Sequence, residues 1–290
     1  MSNLSNITNI KNILSKYGFS FSKSLGQNFL INPSVCPKMA EACNFSQDSA
    51  VIEIGPGVGV LTYELAKRAD KVIAIELDKR LLPVLNETLA DFYNITLIND
   101  DILKLDIKKL IDNYCNDKEV FVCANLPYYI TSPVIMKLLE SQLNIKSIVV
   151  MIQKEAAQRI CATPGTRNSG AISIAVNYYA EPELLFYVSK GSFIPSPNVD
   201  SAVLKLNIRK NPPIKLKDKD LFFKIVKAAF GKRRKTLINA LSSALKLEKA
   251  RLEQILEKLN IKKTVRAEEL NIQQFADISN IIKDDMNDAK

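Results

Sequence analysis

The sequence predicts an α/β protein in which a doubly wound, mainly parallel sheet precedes a small C-terminal helical domain. Three observations support this. Short β-branched runs alternate with amphipathic stretches between Ala50 and Met151. The pair Pro212-Pro213 then ends the alternation, because proline continues neither a strand ladder nor a helix. Beyond this pair the apolar residues recur at helical spacing. Strands buried on both faces that alternate with helices are typical of a Rossmann-like sheet.

The individual elements follow from the same pattern. The strands are predicted at Val51–Ile54, Val72–Ile75, Ile95–Ile98, Val120–Cys123 and Ser147–Met151. The stretches between them predict helical crossovers at Leu61–Arg68, Lys79–Asp91, Leu103–Tyr114 and Pro133–Gln142. Two later runs, Glu183–Val188 and Ala202–Ile208, are joined by a proline-containing loop short enough for a hairpin, so the last strand is expected to run antiparallel.

Two apolar stripes predict helices in the last part of the chain. One stripe comprises Leu221, Phe222, Ile225, Val226 and Ala229, and the other comprises Leu252, Ile255, Leu256 and Leu259. We therefore predict a first domain over residues 1–211 and a helical domain over residues 212–290. The first 20 residues and the last few are polar enough to be loosely ordered.

The composition excludes several classes of protein. The 290 residues include no histidine, which rules out Ser-His-Asp and Cys-His catalysis and histidine-ligated metals. The five cysteines are odd in number and lack C-x-x-C spacing, so we expect free thiols in a reducing cytoplasm and no metal. There is no run of 18 apolar residues and no signal-peptide pattern, so we expect no membrane association.

The positive charge is concentrated near the C-terminus. The chain has a net charge of +9, and residues 210–290 hold 19 basic and 11 acidic side chains, a net charge of +8. A basic module attached to a neutral one indicates a polyanionic partner, most simply a nucleic acid. A solvated, lysine-rich surface is the alternative, and charge alone does not distinguish the two.

A glycine loop follows the first predicted strand. The residues from Glu53 to Gly59 read E-x-G-x-G-x-G, and Gly55 and Gly57 are candidate ligand-binding residues because glycine allows a close approach of the backbone. A dinucleotide fingerprint that starts at Gly55 requires glycine at position 60, which is Val60. This departure argues against a pyrophosphate site and against NAD.

Acidic residues end the next two strands. Glu76 is placed to accept hydrogen bonds from two ribose hydroxyls, and Asp101 is placed to reach an adenine amine, although Asp100 could exchange roles with it. A glycine loop with two such acids describes a nucleoside site without phosphate, which fits S-adenosylmethionine. An ordinary glycine turn beside exposed acids is the alternative interpretation.

The segment Asn125-Leu126-Pro127-Tyr128 follows the fourth strand at the same sheet edge. The exocyclic amine of adenine is a poor nucleophile, because its lone pair is delocalised into the ring. The Asn125 side-chain oxygen and the Leu126 carbonyl could accept hydrogen bonds from the two N–H groups of this amine. These bonds would localise the lone pair on nitrogen, with Pro127 fixing the turn. Tyr128 could stack on the base. A turn with a packed tyrosine is the alternative.

This segment resembles the N/D-P-P-Y/F motif of adenine-N6 methyltransferases. Further similarities lie in Gln27–Leu30, in Phe193–Pro197 with the following Val199–Val203, and in Phe230–Leu237. Together these motifs are similar to those of the small-subunit ribosomal RNA adenine dimethyltransferases. The resemblance spans roughly Phe21 to Leu270. It implies a methyltransferase domain of the Rossmann-like, S-adenosylmethionine-dependent type followed by a basic RNA-binding domain.

The resemblance also implies residue roles. Cofactor contacts are implied for Asn28, Leu30, Gly55, Glu76, Asp101 and Asn125, and target-adenine contacts for Asn125, Leu126, Tyr128 and Phe193. The implied reaction is four methyl transfers from S-adenosylmethionine to two adjacent adenosines near the 3′ end of 16S ribosomal RNA, with S-adenosylhomocysteine as the product. Simple core packing is the alternative for Phe193. We expect a monomer whose partner is the small ribosomal subunit.

The run Lys232, Arg233, Arg234 and Lys235, expected on a helix, predicts a basic band for RNA phosphates. A solvated helical turn is the alternative. Asn198 and Ile238 stand where the family commonly has lysine and arginine, which puts those two RNA contacts in doubt.

Three other functions would use parts of this pattern: a macrolide-resistance methyltransferase acting on 23S RNA, a non-catalytic RNA-binding assembly factor and a DNA adenine methyltransferase. The long basic C-terminal domain argues against the first. The intact Asn125–Tyr128 segment argues against the second, and the lack of a recognisable DNA target-recognition domain argues against the third.

Overall fold

The computed structural model describes residues 6–20, 22, 26–46, 48–115, 117–232 and 234–288. The chain divides into two compact units. The first unit runs to Ala157 and resumes over Glu183–Ile208, and the second consists of Gln158–Pro182 and the residues from Arg209 onward.

The strands, in chain order, are β1 (Phe29–Leu30), β2 (Ser49–Ile54), β3 (Lys71–Glu76), β4 (Ile95–Asn99), β5 (Glu119–Asn125), β6 (Ile145–Gln153), β7 (Ala180–Val188), β8 (Phe193–Ile194) and β9 (Ser201–Ile208). Seven of them form one sheet in the order β4-β3-β2-β5-β6-β9-β7, and β1 pairs with β8 in a separate two-stranded ribbon. The pairs among β2 to β6 are parallel, and β9 runs antiparallel to β6. The predicted parallel strands and the antiparallel last strand are therefore confirmed.

The α-helices are α1 (Ile7–Lys16), α2 (Val35–Cys43), α3 (Val60–Ala66), α4 (Leu82–Thr88), α5 (Ile107–Tyr114), α6 (Thr131–Glu140), α7 (Lys154–Ile160), α8 (Ala171–Tyr179), α9 (Lys219–Phe230), α10 (Leu237–Leu245), α11 (Lys249–Lys258) and α12 (Ile272–Asp288). Short 3₁₀ turns at Lys79–Leu81, Tyr128–Ile130, Lys190–Ser192 and Ala267–Glu269 complete the described elements. Helices α3 to α6 lie in the four predicted crossovers, with ends that differ from the predicted ones by up to a few residues.

The strand order places the functional edge of the sheet. Strand β2 is buried along its whole length and lies between β3 and β5. The chain moves from β2 outward to β3 and β4, and then returns to the other side of β2 as β5. This reversal is the topological switch point, and ligands of such sheets bind there, outside the carboxyl ends of the strands.

The expectation of a loosely ordered N-terminus is wrong for residues 7–16. These residues form α1, whose Asn6 cap accepts a hydrogen bond from the Thr8 N–H at 2.9 Å. Ile10 and Leu14, four residues apart on one face, are buried beside Leu81 and Leu85. The polar residues of this segment lie on the opposite, solvated face of an amphipathic helix.

The second unit is helical and has its own core, but its limits differ from the predicted range of 212–290. Residues 158–182 also belong to it. The reason is that Ile174 and Tyr178 of α8 are buried in one cluster with Phe222 and Phe275. Both predicted apolar stripes are confirmed, in α9 and α11, with Leu221 and Leu259 only partly buried.

All five cysteines are free thiols. Within the described ranges, no cluster of three or more acidic or cysteine side chains is arranged to hold a metal ion. No helix in that part of the chain is both long and apolar enough to cross a bilayer.

Candidate active site

A single cavity at the carboxyl edge of the sheet brings the predicted site residues together. Its walls include parts of the glycine loop, the ends of β3 and β5, and the β1–β8 ribbon. Among the lining residues are Asn28, Leu30, Gly55, Gly57, Glu76, Asp100, Asp101, Asn125, Leu126, Pro127, Tyr128 and Phe193. The structure therefore places every candidate cofactor and target-base residue at this one cavity, while their individual roles stay predictions.

The glycine loop has a backbone that side chains would strain. Gly55, Gly57 and Gly59 have φ angles of 71°, 61° and 90°, in the left-handed region that favours glycine. A Cβ atom on Gly57 would lie 3.1 Å from the Phe29 ring. Because these residues are glycines, the loop backbone packs closely against Phe29 and no side chain from these positions enters the cavity. A ligand can therefore approach the backbone closely.

The Glu76 carboxylate lies at the end of β3 and is only 6% exposed. Its Oε1 accepts a hydrogen bond from the Asp78 N–H at 2.8 Å, and its Oε2 accepts one from the Gly57 N–H at 3.3 Å. Burial raises the pKa of this carboxyl, and hydrogen bonds from backbone N–H groups offset only part of the rise. These hydrogen bonds fix the Glu76 side chain against the glycine loop. Its carboxylate oxygens can accept further hydrogen bonds, for example from two adjacent hydroxyl groups of a ligand.

Asp100 and Asp101 follow β4, and both line the cavity. The Asp101 carboxylate accepts a hydrogen bond from the Leu103 N–H at 2.9 Å, and Asp100 Oδ1 accepts one from the Asp101 N–H at 2.6 Å. Asp101 is also 3.8 Å from Lys104 Nζ. Both acids remain candidates for contact with a base.

The Asn125–Tyr128 turn forms another wall of the cavity. Asn125 is the last residue of β5, and the Leu126 N–H extends the ladder by donating to the Met151 carbonyl at 3.1 Å. The Tyr128 hydroxyl lies 2.7 Å from Ser201 Oγ, at the start of β9. A buried ladder on one side and this hydroxyl contact on the other hold the turn in place.

The β1–β8 ribbon joins two distant parts of the sequence at the cavity. Leu30 pairs with Phe193, and Phe29 pairs with Ile194. Just before β1, the Asn28 side-chain amide donates to the Gly26 carbonyl at 3.1 Å. Phe193 is 3% exposed and belongs to the core cluster of the first unit, yet it also lines the cavity. Packing and a contact with a base are therefore compatible roles for this ring.

The charges of the cavity distinguish between classes of ligand. The described lining includes four acidic side chains, Glu53, Glu76, Asp100 and Asp101, and no lysine or arginine. Burial raises the pKa of the Glu53 carboxyl to about 8, so the negative charge near neutral pH comes mainly from the other three. Such a wall disfavours a phosphate and suits a cationic ligand. A nucleoside that carries a sulfonium and an ammonium group fits these residues.

The sequence profile of the family described as ribosomal RNA adenine dimethylase matches residues 18–284. The chain belongs to this family. It is therefore an enzyme that methylates adenine in ribosomal RNA, and the resemblance found in its motifs is confirmed.

Three relatives of this dimethylase show how far the similarity extends. A Bacillus pumilus protein named Ribosomal RNA small subunit methyltransferase A is 49% identical over 277 residues, which cover 94% of this chain and 95% of the relative. A solved dimethyladenosine transferase from Plasmodium falciparum has a TM-score of 0.73 and 25% identity, covering 90% of this chain and 98% of that one. The solved 23S rRNA methyltransferase ErmE has a TM-score of 0.68 and 26% identity, covering 87% and 98%.

Sequence reasoning did not single out Glu53 as a site residue of the dimethylase. This residue is 1% exposed in β2, lines the cavity, and its Oε2 has no hydrogen-bond partner in the described part of the chain. Burial raises the pKa of its carboxyl to about 8, and the nearby Glu76 carboxylate adds to the rise. An acid within an otherwise apolar strand was the signal available in the sequence.

The raised pKa of Glu53 predicts a pH-dependent stability. Between about pH 4.5 and 8 the folded protein binds more protons at this carboxyl than the unfolded chain, so the free energy of unfolding falls as the pH rises. We expect Glu53 to account for a loss of up to a few kcal/mol over this range. Glu53→Gln should flatten this dependence in urea unfolding of the ligand-free protein at pH 5.5 and 8.5. Glu41→Gln, on the exposed side of α2, should keep the wild-type dependence; a Glu53→Gln curve parallel to wild type would contradict the prediction.

The sequence predicts that the basic run lies on a helix, but the structure places its described residues in a turn. Helix α9 ends at Phe230 and α10 begins at Leu237, so Lys232, Arg234 and Lys235 lie in the connecting turn, and Arg233 lies outside the described residues. The Lys235 N–H donates to the Lys232 carbonyl at 2.8 Å, and Thr236 caps α10. All three described side chains are exposed, because a turn does not bury one face as a helix does.

Proposed function

We propose that this dimethylase transfers methyl groups from S-adenosylmethionine to N6 of two adjacent adenosines near the 3′ end of 16S ribosomal RNA, during biogenesis of the small subunit in the cytoplasm. The product from the cofactor is S-adenosylhomocysteine, and the enzyme acts as a monomer. The observation that carries the proposal is the cavity that joins four acidic side chains to the Asn125–Tyr128 turn. The name of the Bacillus pumilus relative supports the small subunit as the target.

Each group of residues has a role in this proposal. Glu76 accepts hydrogen bonds from the ribose hydroxyls of the cofactor, and the backbone of Gly55 and Gly57 allows the close approach. Asn28 and Leu30 cover the ligand from the ribbon, and Asp101 or Asp100 contacts its adenine. When bound, S-adenosylmethionine supplies an electrophilic methyl group. The acidic lining favours this cation and is less favourable for the product, which lacks the sulfonium charge.

The Asn125–Tyr128 turn acts on the target base. The Asn125 side-chain oxygen and the Leu126 carbonyl accept hydrogen bonds from the two N6 hydrogens, which localises the lone pair on nitrogen. These bonds strengthen as positive charge develops on N6, so they stabilise the transition state more than the ground state. Tyr128 and Phe193 hold the extruded adenine by stacking. Attack by the neutral amine first gives a methylated amine that still carries its proton and a positive charge. This cation is strongly acidic and releases the proton to water, so no histidine is needed.

Incubation with labelled S-adenosylmethionine tests the proposal. Unmethylated small subunits, large subunits and protein-free 16S RNA are compared, and the labelled nucleotides are mapped. We expect label on two adjacent adenosines of the small subunit, rising to four methyl groups per particle. Label confined to 23S RNA would favour the second candidate, a resistance methyltransferase, which the likeness to ErmE brings into consideration. RNA binding without any label would contradict an active enzyme.

The basic turn is expected to determine the salt dependence of RNA binding. Each lysine or arginine that neutralises a phosphate contributes about one to the slope of log K against log salt. Changing Lys232, Arg233, Arg234 and Lys235 to glutamine should therefore reduce the slope by about two to four units. A matched set at Lys11, Lys108, Lys109 and Lys146, all outside the second unit, should leave the slope unchanged. The slopes are measured by filter binding between about 50 and 200 mM salt. An unchanged slope in the first set of variants would mean that the RNA binds elsewhere.

A further inference from the structure

A small patch of aromatic and basic side chains lies just beyond Tyr128 on the first unit. We define it as Tyr187, Lys154 and Lys190. It connects to the cavity through Ser201, whose hydroxyl lies 2.7 Å from the Tyr128 hydroxyl. In the β6–β9 ladder, Ser201 stands opposite Gln153, and the next residue is Lys154. The patch is thus anchored to the residue that positions Tyr128.

One residue holds the backbones of both lysines. The Lys154 N–H donates to the Asp200 carbonyl at 3.0 Å, and the Lys190 N–H donates to Asp200 Oδ1 at 3.0 Å. Lys190 also begins the 3₁₀ turn that leads directly into Phe193. Lys154 is therefore connected to Tyr128 through Ser201, and Lys190 is connected to Phe193 through the 3₁₀ turn. Both lysines lie a short length of chain away from the proposed target-base site.

The exposed ring of the patch is Tyr187, near the end of β7. It is 52% exposed, and Lys154 Nζ lies 4.9 Å from its ring centroid. The preceding residue, Phe186, points to the opposite face of the strand, as alternation requires, where it contacts Lys38. An exposed ring beside an ammonium group is suited to a base with its phosphate, since bases stack on aromatic rings and lysines neutralise the backbone.

Some lysines of the described residues are paired with an acid, whereas the two lysines of the patch are not. Lys16, Lys118 and Lys217 each have an ion pair with a nearby carboxylate. Among the residues that the structure describes, no carboxylate forms an ion pair with Lys154 or Lys190. Their positive charge is thus available to an anion from outside.

We propose that this patch binds the nucleotide next to the adenosine that occupies the cavity, with Tyr187 stacking on its base and Lys154 and Lys190 contacting its phosphates. The inference rests on the proposed function. Extruding one base from a strand leaves its neighbour without a stacking partner, and an aromatic ring at the rim replaces that partner. In the proposed substrate this neighbour is the second adenosine, so the patch holds one target while the other reacts.

Steady-state kinetics on unmethylated small subunits test the stacking role. We expect Tyr187→Ala to raise KM about 10-fold with little change in kcat, because a stacked base is lost from binding and not from the chemical step. Tyr187→Phe should keep the wild-type KM, since the ring remains. The matched control is Tyr93→Ala, because Tyr93 is 100% exposed and precedes β4 at the opposite edge of the sheet. Cofactor affinity, measured by calorimetry, should be unchanged in all three variants and shows that they fold.

The lysines are tested independently through the salt dependence of KM. Lys154→Gln and Lys190→Gln should each reduce the slope by about one. Lys108→Gln, at an exposed position of α5 with no ion pair among the described residues, is the control and should leave the slope unchanged. If Tyr187→Ala binds cofactor normally and behaves like Tyr93→Ala, the proposal is overturned. If Tyr187→Ala does not fold, unchanged slopes in both lysine variants overturn it. Lack of methylation by the wild-type enzyme is a different result, because it removes the proposed function itself.

Discussion

Replacing Asn125 by alanine is expected to lower kcat for methyl transfer by about 10²- to 10³-fold, the effect of removing one preorganised group that stabilises charge in a transition state. Asn125 ends β5 beside the ladder of the buried sheet, so its backbone is held by the fold. Its loss leaves the N6 amine with one acceptor in place of two. The KM for small subunits should change little, because the interaction is strongest in the transition state.

Two variants make this result specific. Asn113→Ala, on the exposed side of α5, controls for the loss of an asparagine and should keep wild-type turnover. Asn125→Asp retains an acceptor oxygen and should recover part of the lost activity. Single-turnover measurements with labelled S-adenosylmethionine isolate the chemical step. Wild-type turnover in Asn125→Ala would remove Asn125 from the reaction.

Replacing Glu76 by alanine is expected to weaken cofactor binding by about 10²-fold. Hydrogen bonds to a charged group contribute about 1.5–3 kcal/mol each, and Glu76 is proposed to accept two from the ribose. The carboxylate is already held by the Asp78 and Gly57 N–H groups, so little ordering is needed on binding. RNA binding in the absence of cofactor should be unaffected.

Titration calorimetry with S-adenosylhomocysteine measures the affinity for the cofactor product, and filter binding measures the affinity for RNA. Glu41→Ala removes an exposed acid from α2 and serves as the control. Glu76→Gln keeps the shape but replaces one acceptor by a donor, so we expect an intermediate affinity. If Glu76→Ala weakens RNA binding and leaves the cofactor affinity unchanged, Glu76 contacts the RNA and not the cofactor.

The sheet and the site residues were largely predictable because they follow from strong local patterns. The apolar runs of β2, β3 and β5 can only be buried strands, and parallel strands deliver Gly55, Glu76 and Asn125 to one edge by geometry alone. The pairing of Leu30 with Phe193 was not predictable from spacing, and only the family resemblance assigned both residues to one site.

The errors occurred where tertiary packing decided the outcome. Helix α1 is stabilised by burying Ile10 and Leu14, which a polar composition conceals. Residues 158–182 join the second unit because Ile174 finds its partners there, far along the chain. Strand propensity describes the neighbours of Glu53 but not Glu53 itself, whose carboxyl is buried with Oε2 unpartnered among the described residues.

The β1–β8 ribbon also has a consequence for how the enzyme is made. Its two strands lie near opposite ends of the first unit's sequence, and a domain is synthesised from its N-terminus. A nascent chain that has exposed the glycine loop and the Asn125 turn still lacks Phe193. The wall that contains Leu30 cannot be completed until β8 has left the ribosome. The cavity is therefore completed only after β8 has been synthesised, and a chain truncated before β8 lacks this wall for a topological reason.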